Sequence, residues 1–219
     1  MALRVRPPHG RFVCWTEPAM GPAPATVGGM KPLVAVLAGG SSSRMGRDKA
    51  LVDADGLPML QRVIAAGQSV GDVVVVGRAP SDGLDGIPDL RVGKLGPLAG
   101  LEAALVHADG RDVILVAVDQ PFVRADTLLR LHQTRGDAVV PVDGGWEQVT
   151  CAVYRKACLP IVRAALDDGV LSILAILDRL SVTLVERDEW GSWGEDGRSW
   201  FSVDTPDALA VGLERFGGR

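Results

Sequence analysis

From Leu33 onward, short apolar runs rich in valine alternate with longer stretches of helical periodicity. Two of these runs, Leu33–Ala38 and Val113–Val118, are apolar throughout, which is typical of strands that are buried on both faces of a parallel sheet. Gln148–Tyr154 instead alternates polar and apolar residues, as an antiparallel or edge strand does. This alternation of strands and helices predicts a three-layer α/β domain.

The same patterns predict the remaining elements. Further strands are expected at Val73–Val76, Ala138–Val142, Val149–Tyr154, Val182–Glu186 and Phe201–Val203. Helices are expected at Pro58–Ser69, Leu98–Ala108, Ala125–Thr134, Ala157–Asp167, Ser172–Leu180 and Pro206–Phe216. Gly191–Ser199 is polar and predicts a loop, under which we expect the neighbouring tryptophans to pack.

Residues 1–32 show no such periodicity. They hold six Pro and four Gly, with four basic residues against one acidic residue. They also lack the apolar core that a signal peptide requires. We therefore expect residues 1–32 to be disordered, or to precede a true start at Met20 or Met30, and we place the folded domain at 33–219. A targeting or partner-binding role for this extension is the alternative.

Composition narrows the class of protein. A chain of 219 residues and 23.0 kDa favours one large domain, and its net charge of −4 argues against a general nucleic-acid binder. No apolar run approaches the roughly 18 residues of a membrane-spanning helix, so no membrane partner is expected. The three cysteines form no Cys-x-x-Cys pair, which indicates buried thiols in a reducing compartment and hence a cytoplasmic protein.

A glycine-rich segment, Gly39–Lys49, directly follows the first apolar strand. Paired glycines let the backbone approach a ligand, and successive N–H groups in such a turn form an anion-binding nest. Serine, arginine and lysine side chains add donors and positive charge, which indicates a polyphosphate site. The spacing is neither that of a P-loop nor Gly-x-Gly-x-x-Gly. By composition alone, the segment also fits an ordinary turn between strand and helix.

The run Leu37–Lys49 reads Leu-Ala-Gly-Gly-Ser-Ser-Ser-Arg-Met-Gly-Arg-Asp-Lys. It closely resembles the signature loop of the molybdenum cofactor guanylyltransferases, which belong to the nucleotidyltransferase superfamily. Three later segments resemble further motifs of that family in the same order: Gly96–Gly100, Asp119–Phe122 and Ser202–Asp207. The resemblance covers about residues 33–216. It implies a three-layer α/β/α, Rossmann-like fold of the nucleotide-diphospho-sugar transferase kind, with a mostly parallel twisted sheet and one antiparallel strand.

The resemblance also implies a reaction, which is Mg²⁺-dependent transfer of GMP from GTP, or of another nucleotide from its NTP, to molybdopterin. Lys49 and Arg44 would counter the triphosphate charge, while Asp119, also catalytic, would hold Mg²⁺ together with Asp204. Nucleotide contacts are expected from Leu37, Ala38, Gly39, Gly40, Ser41, Lys49, Gly96, Pro97, Leu98, Ala99 and Gly100. A transient contact with a molybdoenzyme or a cofactor-synthesis protein is a further expectation.

The position of Asp119 supports this site independently of the family resemblance. Asp119 ends the apolar strand Val113–Val118, and ligands of open α/β sheets bind beyond the carboxyl ends of the strands. A carboxylate beside a polyphosphate is what Mg²⁺ requires. The alternative for Asp119 is a cap of the turn before Pro121.

Departures from the motifs of the family leave the identity of the nucleobase undecided. Gly77-Arg78 stands where the guanylyltransferases have an asparagine, and Asp89 is the acid nearest to the expected position before Gly96–Gly100. Asp204 replaces a usual asparagine, as in cytidylyltransferase relatives, whereas Arg47-Asp48-Lys49 favours the guanylyl branch. The alternatives are therefore a molybdopterin cytidylyltransferase, another sugar- or alditol-phosphate nucleotidyltransferase, and a non-catalytic nucleotide-binding protein that delivers the cofactor.

Overall fold

The computed structural model describes residues 4–6, 13–14, 30–39, 48–78, 85–91, 93 and 96–217. The strands in these ranges are β1 (Arg4–Arg6), β2 (Val13–Cys14), β3 (Leu33–Leu37), β4 (Asp72–Val76), β5 (Gly86–Ile87), β6 (Val113–Ala117), β7 (Ala138–Asp143), β8 (Trp146–Glu147), β9 (Cys151–Tyr154) and β10 (Val182–Val185). The α-helices are α1 (Met59–Gln68), α2 (Gly96–His107), α3 (Ala125–Gln133), α4 (Leu159–Asp167), α5 (Arg187–Ser192) and α6 (Pro206–Phe216). None of these helices is long and apolar enough to cross a lipid bilayer.

The strands form one mixed sheet in the order β2-β1-β10-β7-β9-β6-β3-β4-β5, and β8 pairs with β7. The four neighbouring strands β6, β3, β4 and β5 run parallel to one another, and β10 runs parallel to β7. β9 lies antiparallel between β7 and β6. The mostly parallel sheet with an antiparallel strand inside it is therefore confirmed, while β1, β2 and β8 add further antiparallel pairs.

The two faces of the sheet bury two separate cores. In β3, Leu33 and Ala35 pack in the core that includes α2 and α4, whereas Val34 and Val36 pack in the core that includes α1 and α3. Successive residues of a strand point to opposite faces, so a strand with helices on both sides must be apolar at every position. This burial explains the uninterrupted apolar runs and makes the fold a three-layer α/β/α domain.

Several elements differ from the sequence expectation. Ser172–Leu180 forms a 3₁₀ helix over Leu174–Arg179 rather than an α-helix, and α5 occupies part of the expected polar loop. β5 and β8, of two residues each, were not predicted. Phe201–Val203 forms no strand. The Val203 N–H donates instead to the Asp119 carbonyl oxygen at 2.7 Å, which ties this segment to the end of β6.

The extension before residue 33 also contains elements that periodicity did not predict. β1 pairs antiparallel with β10, with Arg4 opposite Leu184 and Arg6 opposite Val182, and β2 pairs with β1. Such pairing at a sheet edge needs only an extended main chain, which leaves no pattern in three residues. Residues 1–3, 7–12 and 15–29 lie outside the described residues. The domain boundary at residue 33 stays a prediction.

Candidate active site

A cleft of about 660 Å³ opens where β3, β4 and β6 end at their carboxyl edge. Its volume suits a small-molecule ligand, and its position is the usual one for ligands of parallel sheets. The expected nucleotide-binding residues that line it are Leu37, Ala38, Gly39, Lys49, Gly96, Pro97 and Gly100. Asp119 lines the same cleft. The structure thus brings segments from three expected motifs to one place.

Two expected contacts are not on the cleft wall. The side chains of Leu98 and Ala99 are fully buried in the core between α2 and the sheet. They lie in the first turn of α2, where successive residues point in different directions around the helix, so only some of this motif faces the ligand. Gly40, Ser41 and Arg44 lie outside the described residues.

Glycines let the backbone form the cleft wall. Gly77 has φ +83°, a left-handed conformation that side chains disfavour, and a Cβ there would lie 2.6 Å from the Gly39 Cα. A Cβ on Gly100 would lie 2.6 Å from the Leu37 Cδ2, so α2 approaches the strand ends more closely than a larger residue permits. The first turn of α2, with its positive end of the helix dipole, therefore borders the cleft.

Three charged side chains meet beside this wall. The Lys49 Nζ lies 3.4 Å from the Asp119 Oδ2 and donates to the Asp204 Oδ1. The Lys49 side chain is 16% exposed and that of Asp119 is 26% exposed, while Asp204 is 51% exposed. An ammonium group and two carboxylates thus lie in contact, and two of the three residues, Lys49 and Asp119, line the cleft.

Hydrogen bonds to the main chain position these three groups. Lys49 opens a 3₁₀ turn, Lys49–Leu51, whose N-cap Asp48 accepts a hydrogen bond from the Ala50 N–H at 3.1 Å. Asp119 follows β6, and the bond from Val203 to the Asp119 carbonyl brings Asp204 alongside. Asp119 and Asp204 are far apart in the sequence, so the sequence could pair them only through the family resemblance.

The surroundings of Asp119 shift its titration. Burial raises the pKa of Asp119 above its ordinary value, the Lys49 ammonium lowers it, and the negative charge of Asp204 raises it again. A carboxylate that is poorly solvated and close to a second carboxylate gains from a nearby cation. Perturbed carboxyl groups of this kind, set in a cleft, are typical of functional sites.

The side chains at this site suit one kind of metal ion. The part of the chain that the structure describes holds no cluster of three or more histidine, cysteine or acidic side chains. A closed cage made of protein ligands alone is therefore not present there. Mg²⁺ takes one or two carboxylates and completes its shell with water and phosphate oxygens. Asp119 and Asp204 beside this cleft fit that requirement.

Sequence reasoning gave no site role to three further residues. Asp89 and Thr150 line the cleft, and burial raises the pKa of Asp89. Arg78 bonds to Asp48, next to Lys49. In the sequence, Asp89 is the nearest acid before Gly96, and nothing in the strand pattern places Thr150 beside β6 until the pairing of β9 is known.

Chemistry at a triphosphate needs positioned positive charge and groups that hold a cation at the same point. This cleft supplies both at the edge of a Rossmann-like sheet, so fold and site together define a nucleotide-dependent transferase. The sequence profile of the family described as "MobA-like NTP transferase domain" matches residues 34–183, more than half of the chain. The chain belongs to this family, and it is a nucleotidyltransferase.

Curated relatives agree with the family. A protein of Pelotomaculum thermopropionicum, described as a probable molybdenum cofactor guanylyltransferase, is 31% identical over 80% of this chain and 88% of its own. Two further relatives, at 34% and 33% identity, have the same description.

Solved structures show the same fold. Molybdopterin-guanine dinucleotide biosynthesis protein A from Archaeoglobus fulgidus is 27% identical with a TM-score of 0.74, over 84% of this chain and 97% of that one. The protein Rv0371c from Mycobacterium tuberculosis, solved in complex with manganese, is 20% identical with a TM-score of 0.58, over 84% of this chain and 99% of that one. At this identity, the second likeness concerns the fold alone.

Proposed function

We propose that this nucleotidyltransferase transfers GMP from GTP to molybdopterin and releases pyrophosphate. The observation that carries the proposal is that Lys49 and Asp119 line a glycine-walled cleft and that Lys49 also contacts Asp204. The description of the curated relatives as probable molybdenum cofactor guanylyltransferases supports the choice of both substrates.

The chemical step needs little covalent work from the protein. A phosphate oxygen of molybdopterin attacks the α-phosphorus of GTP, so one P–O bond forms while the bond to the β-phosphate oxygen breaks. The electron pair of the broken bond leaves with pyrophosphate. Negative charge accumulates on the phosphate oxygens. The Lys49 ammonium lines the cleft and counters this charge.

Asp119 and Asp204 are the residues that would hold Mg²⁺ in this proposal. When bound, the ion supplies positive charge to the phosphate oxygens and to the leaving pyrophosphate. Lys49 sits between the two carboxylates, so it keeps them close together while it limits their mutual repulsion.

Asp89 gives a structural argument for guanine in addition to the relatives' descriptions. It lines the cleft. Guanine presents two adjacent N–H donors, on N1 and on its exocyclic amino group, and a carboxylate can accept both together. Cytosine offers no such adjacent pair. We therefore expect Asp89→Asn to reduce the preference for GTP over CTP, measured as the ratio of their kcat/KM values.

The decisive experiment supplies the protein with Mg²⁺, molybdopterin and one NTP at a time, and measures pyrophosphate release. The proposal requires GTP to give the fastest release and the product to contain GMP joined to molybdopterin. Fastest release with CTP would instead show a cytidylyltransferase. Nucleotide binding without pyrophosphate from any NTP would show a non-catalytic protein that delivers the cofactor.

A further inference from the structure

We propose that Arg78 is a positioning residue that acts through Asp48 to hold Lys49 at the two carboxylates. This inference rests on the proposed function, because it assumes that Lys49 serves the triphosphate. It adds a role for a residue that follows β4 and that touches neither Asp119 nor Asp204 in any described contact.

The Arg78 guanidinium links two parts of the site. Its Nε donates to the Ala38 carbonyl oxygen at 3.1 Å, and its Nη2 donates to the Asp48 Oδ1 at 2.5 Å. Ala38 follows the last residue of β3, and Asp48 precedes the turn that carries Lys49. Because the guanidinium is a rigid planar fork, these two bonds fix the distance between the strand end and the turn.

The turn transmits this constraint to Lys49. The Asp48 Oδ1 also accepts the Ala50 N–H at 3.1 Å, so one carboxylate oxygen serves both Arg78 and the turn. Ala50 and Val52 are fully buried and anchor the turn in the core. The Lys49 backbone is thus held from both sides, and its side chain extends to Asp119 and Asp204.

The position of Arg78 follows from the glycine before it. Gly77 has φ +83°, and its N–H donates to the Ile87 carbonyl oxygen at 2.9 Å. The chain turns sharply there, and the Arg78 side chain reaches back across the end of β3. Among the described residues that line the cleft, Gly77 is present and Arg78 is not. This arrangement favours an indirect role over direct contact with the nucleotide.

The charge of Asp48 is part of the arrangement. The Arg78 guanidinium beside Asp48 holds the pKa of that carboxyl below its usual value. Asp48 therefore stays ionised and keeps its charge-assisted bond at any pH near neutrality. Arg78→Gln breaks this link to the turn, and Asp48→Asn leaves an acceptor oxygen but removes the charge that strengthens the bond.

The chain offers a matched control in Arg111. Its Nη1 donates to the Asp72 Oδ2 at 2.7 Å, and its Nε donates to the Ala108 carbonyl oxygen at 3.2 Å. Arg111 therefore makes the same two kinds of bond as Arg78, but beside the amino end of β4, at the opposite edge of the sheet. Arg111→Gln should reproduce any general cost to stability without affecting Lys49.

The first test measures the position of Lys49 without using transferase activity. Acetic anhydride acylates exposed lysines fastest, and mass spectrometry of the peptides gives the rate at Lys49 relative to the exposed Lys156. Loss of one charge-assisted bond should raise the Lys49 rate about tenfold in Arg78→Gln and in Asp48→Asn. Arg111→Gln should leave it unchanged. An unchanged rate in both Arg78→Gln and Asp48→Asn would overturn the proposal.

The second test is kinetic. We expect Arg78→Gln to lower kcat about tenfold with little change in the KM for GTP. Arg78→Lys should restore part of the loss. In a Lys49→Ala background, Arg78→Gln should cause no further loss of kcat. Losses that multiply in that background would show that Arg78 acts on the nucleotide directly and would refute the proposal. A raised KM with an intact kcat would refute it as well if Lys49→Ala lowers kcat.

The two proposals fail in different ways. If the unaltered protein releases no pyrophosphate with any NTP, the proposed function is wrong, while the acylation rates still decide whether Arg78 holds Lys49. A second variant covers the case in which Arg78→Gln lowers the melting temperature far more than Arg111→Gln does. In that case Asp48→Asn, which keeps the size of the side chain, replaces Arg78→Gln in both tests.

Discussion

Two regions of the molecule use buried polar groups for opposite purposes. In the C-terminal region, Glu195 is 4% exposed and accepts hydrogen bonds from the Thr127 hydroxyl at 2.5 Å and the Ser199 hydroxyl at 2.6 Å. Its carboxylate also accepts three main-chain N–H groups. At the nucleotide cleft, by contrast, the Asp119 and Lys49 side chains line a cavity of about 660 Å³.

The charges of one region serve stability, and those of the other are placed to serve activity. The chain itself surrounds Glu195 with donors, and nearby indole N–H groups of Trp190 and Trp200 bond to Val142 and Asp143. Such a saturated network holds the fold together. The glycine-walled cleft instead places its charges where a ligand can reach them. Substitutions in the two regions should therefore separate activity from stability.

The largest effect on activity is expected from Asp119→Ala. If Asp119 holds the metal ion as proposed, its loss should lower the rate of pyrophosphate release by more than about 1000-fold. The melting temperature should change little, because Asp119 lines the cleft rather than packing in an apolar core. Near-normal turnover by this variant would move the metal role to another carboxylate.

Lys49→Ala should cause the second-largest loss of activity. If the ammonium acts mainly as charge builds in the transition state, kcat and kcat/KM should fall together by about 100- to 1000-fold, or roughly 3–4 kcal/mol. Steady-state kinetics, with a melting curve as the folding control, test this expectation. A raised KM with an unchanged kcat would limit Lys49 to ground-state binding, and unchanged kinetics would remove its phosphate role.

Glu195→Gln should show the reverse behaviour. The amide brings N–H donors into a pocket that already consists of donors, so the free energy of unfolding should fall by about 2–3 kcal/mol. For a chain of this size, the melting temperature should then fall by roughly 4–12 °C, while kcat stays unchanged. Asp188→Asn, at an exposed position, is the control and should alter neither quantity. A loss of kcat in Glu195→Gln without a loss of stability would contradict the division between the two regions.

The smallest effect is expected from removing residues 1–29. β1 adds only three residue pairs to the edge of β10, far from the cleft. A chain that begins at Met30 should keep its affinity for GTP, and its melting temperature should fall by no more than about 4 °C, which corresponds to roughly 1 kcal/mol. Calorimetry and nucleotide titration measure both quantities. A fall of many degrees would show that the extension is part of the folded domain.

The sequence predicted most of the fold because buried elements leave strong patterns. The apolar runs located β3 and β6 within one residue, and the bounds of α6 were predicted as observed. β1, β5 and β8 are too short to leave a period, and the 3₁₀ helix at Leu174–Arg179 has nearly the spacing of an α-helix.

The candidate site was predictable where its residues belong to contiguous motifs, and not beyond them. Periodicity does not reveal which motif residues face a ligand, so Leu98 and Ala99 were assigned to the cleft although they are buried in the core. The role of Arg78 depends on the left-handed turn at Gly77 and on contacts between distant segments. Tertiary contacts of this kind have no local signature.

The bond from the Val203 N–H to the Asp119 carbonyl has a consequence for how such an enzyme can evolve. It joins main-chain atoms, so every residue at position 203 except proline can donate it, and drift in side chains leaves it intact. Position 204 therefore stays opposite Asp119 whichever residue occupies it. A single nucleotide change in the codon converts aspartate to asparagine at position 204, so the charge beside Asp119 can change while a lineage inherits the same architecture.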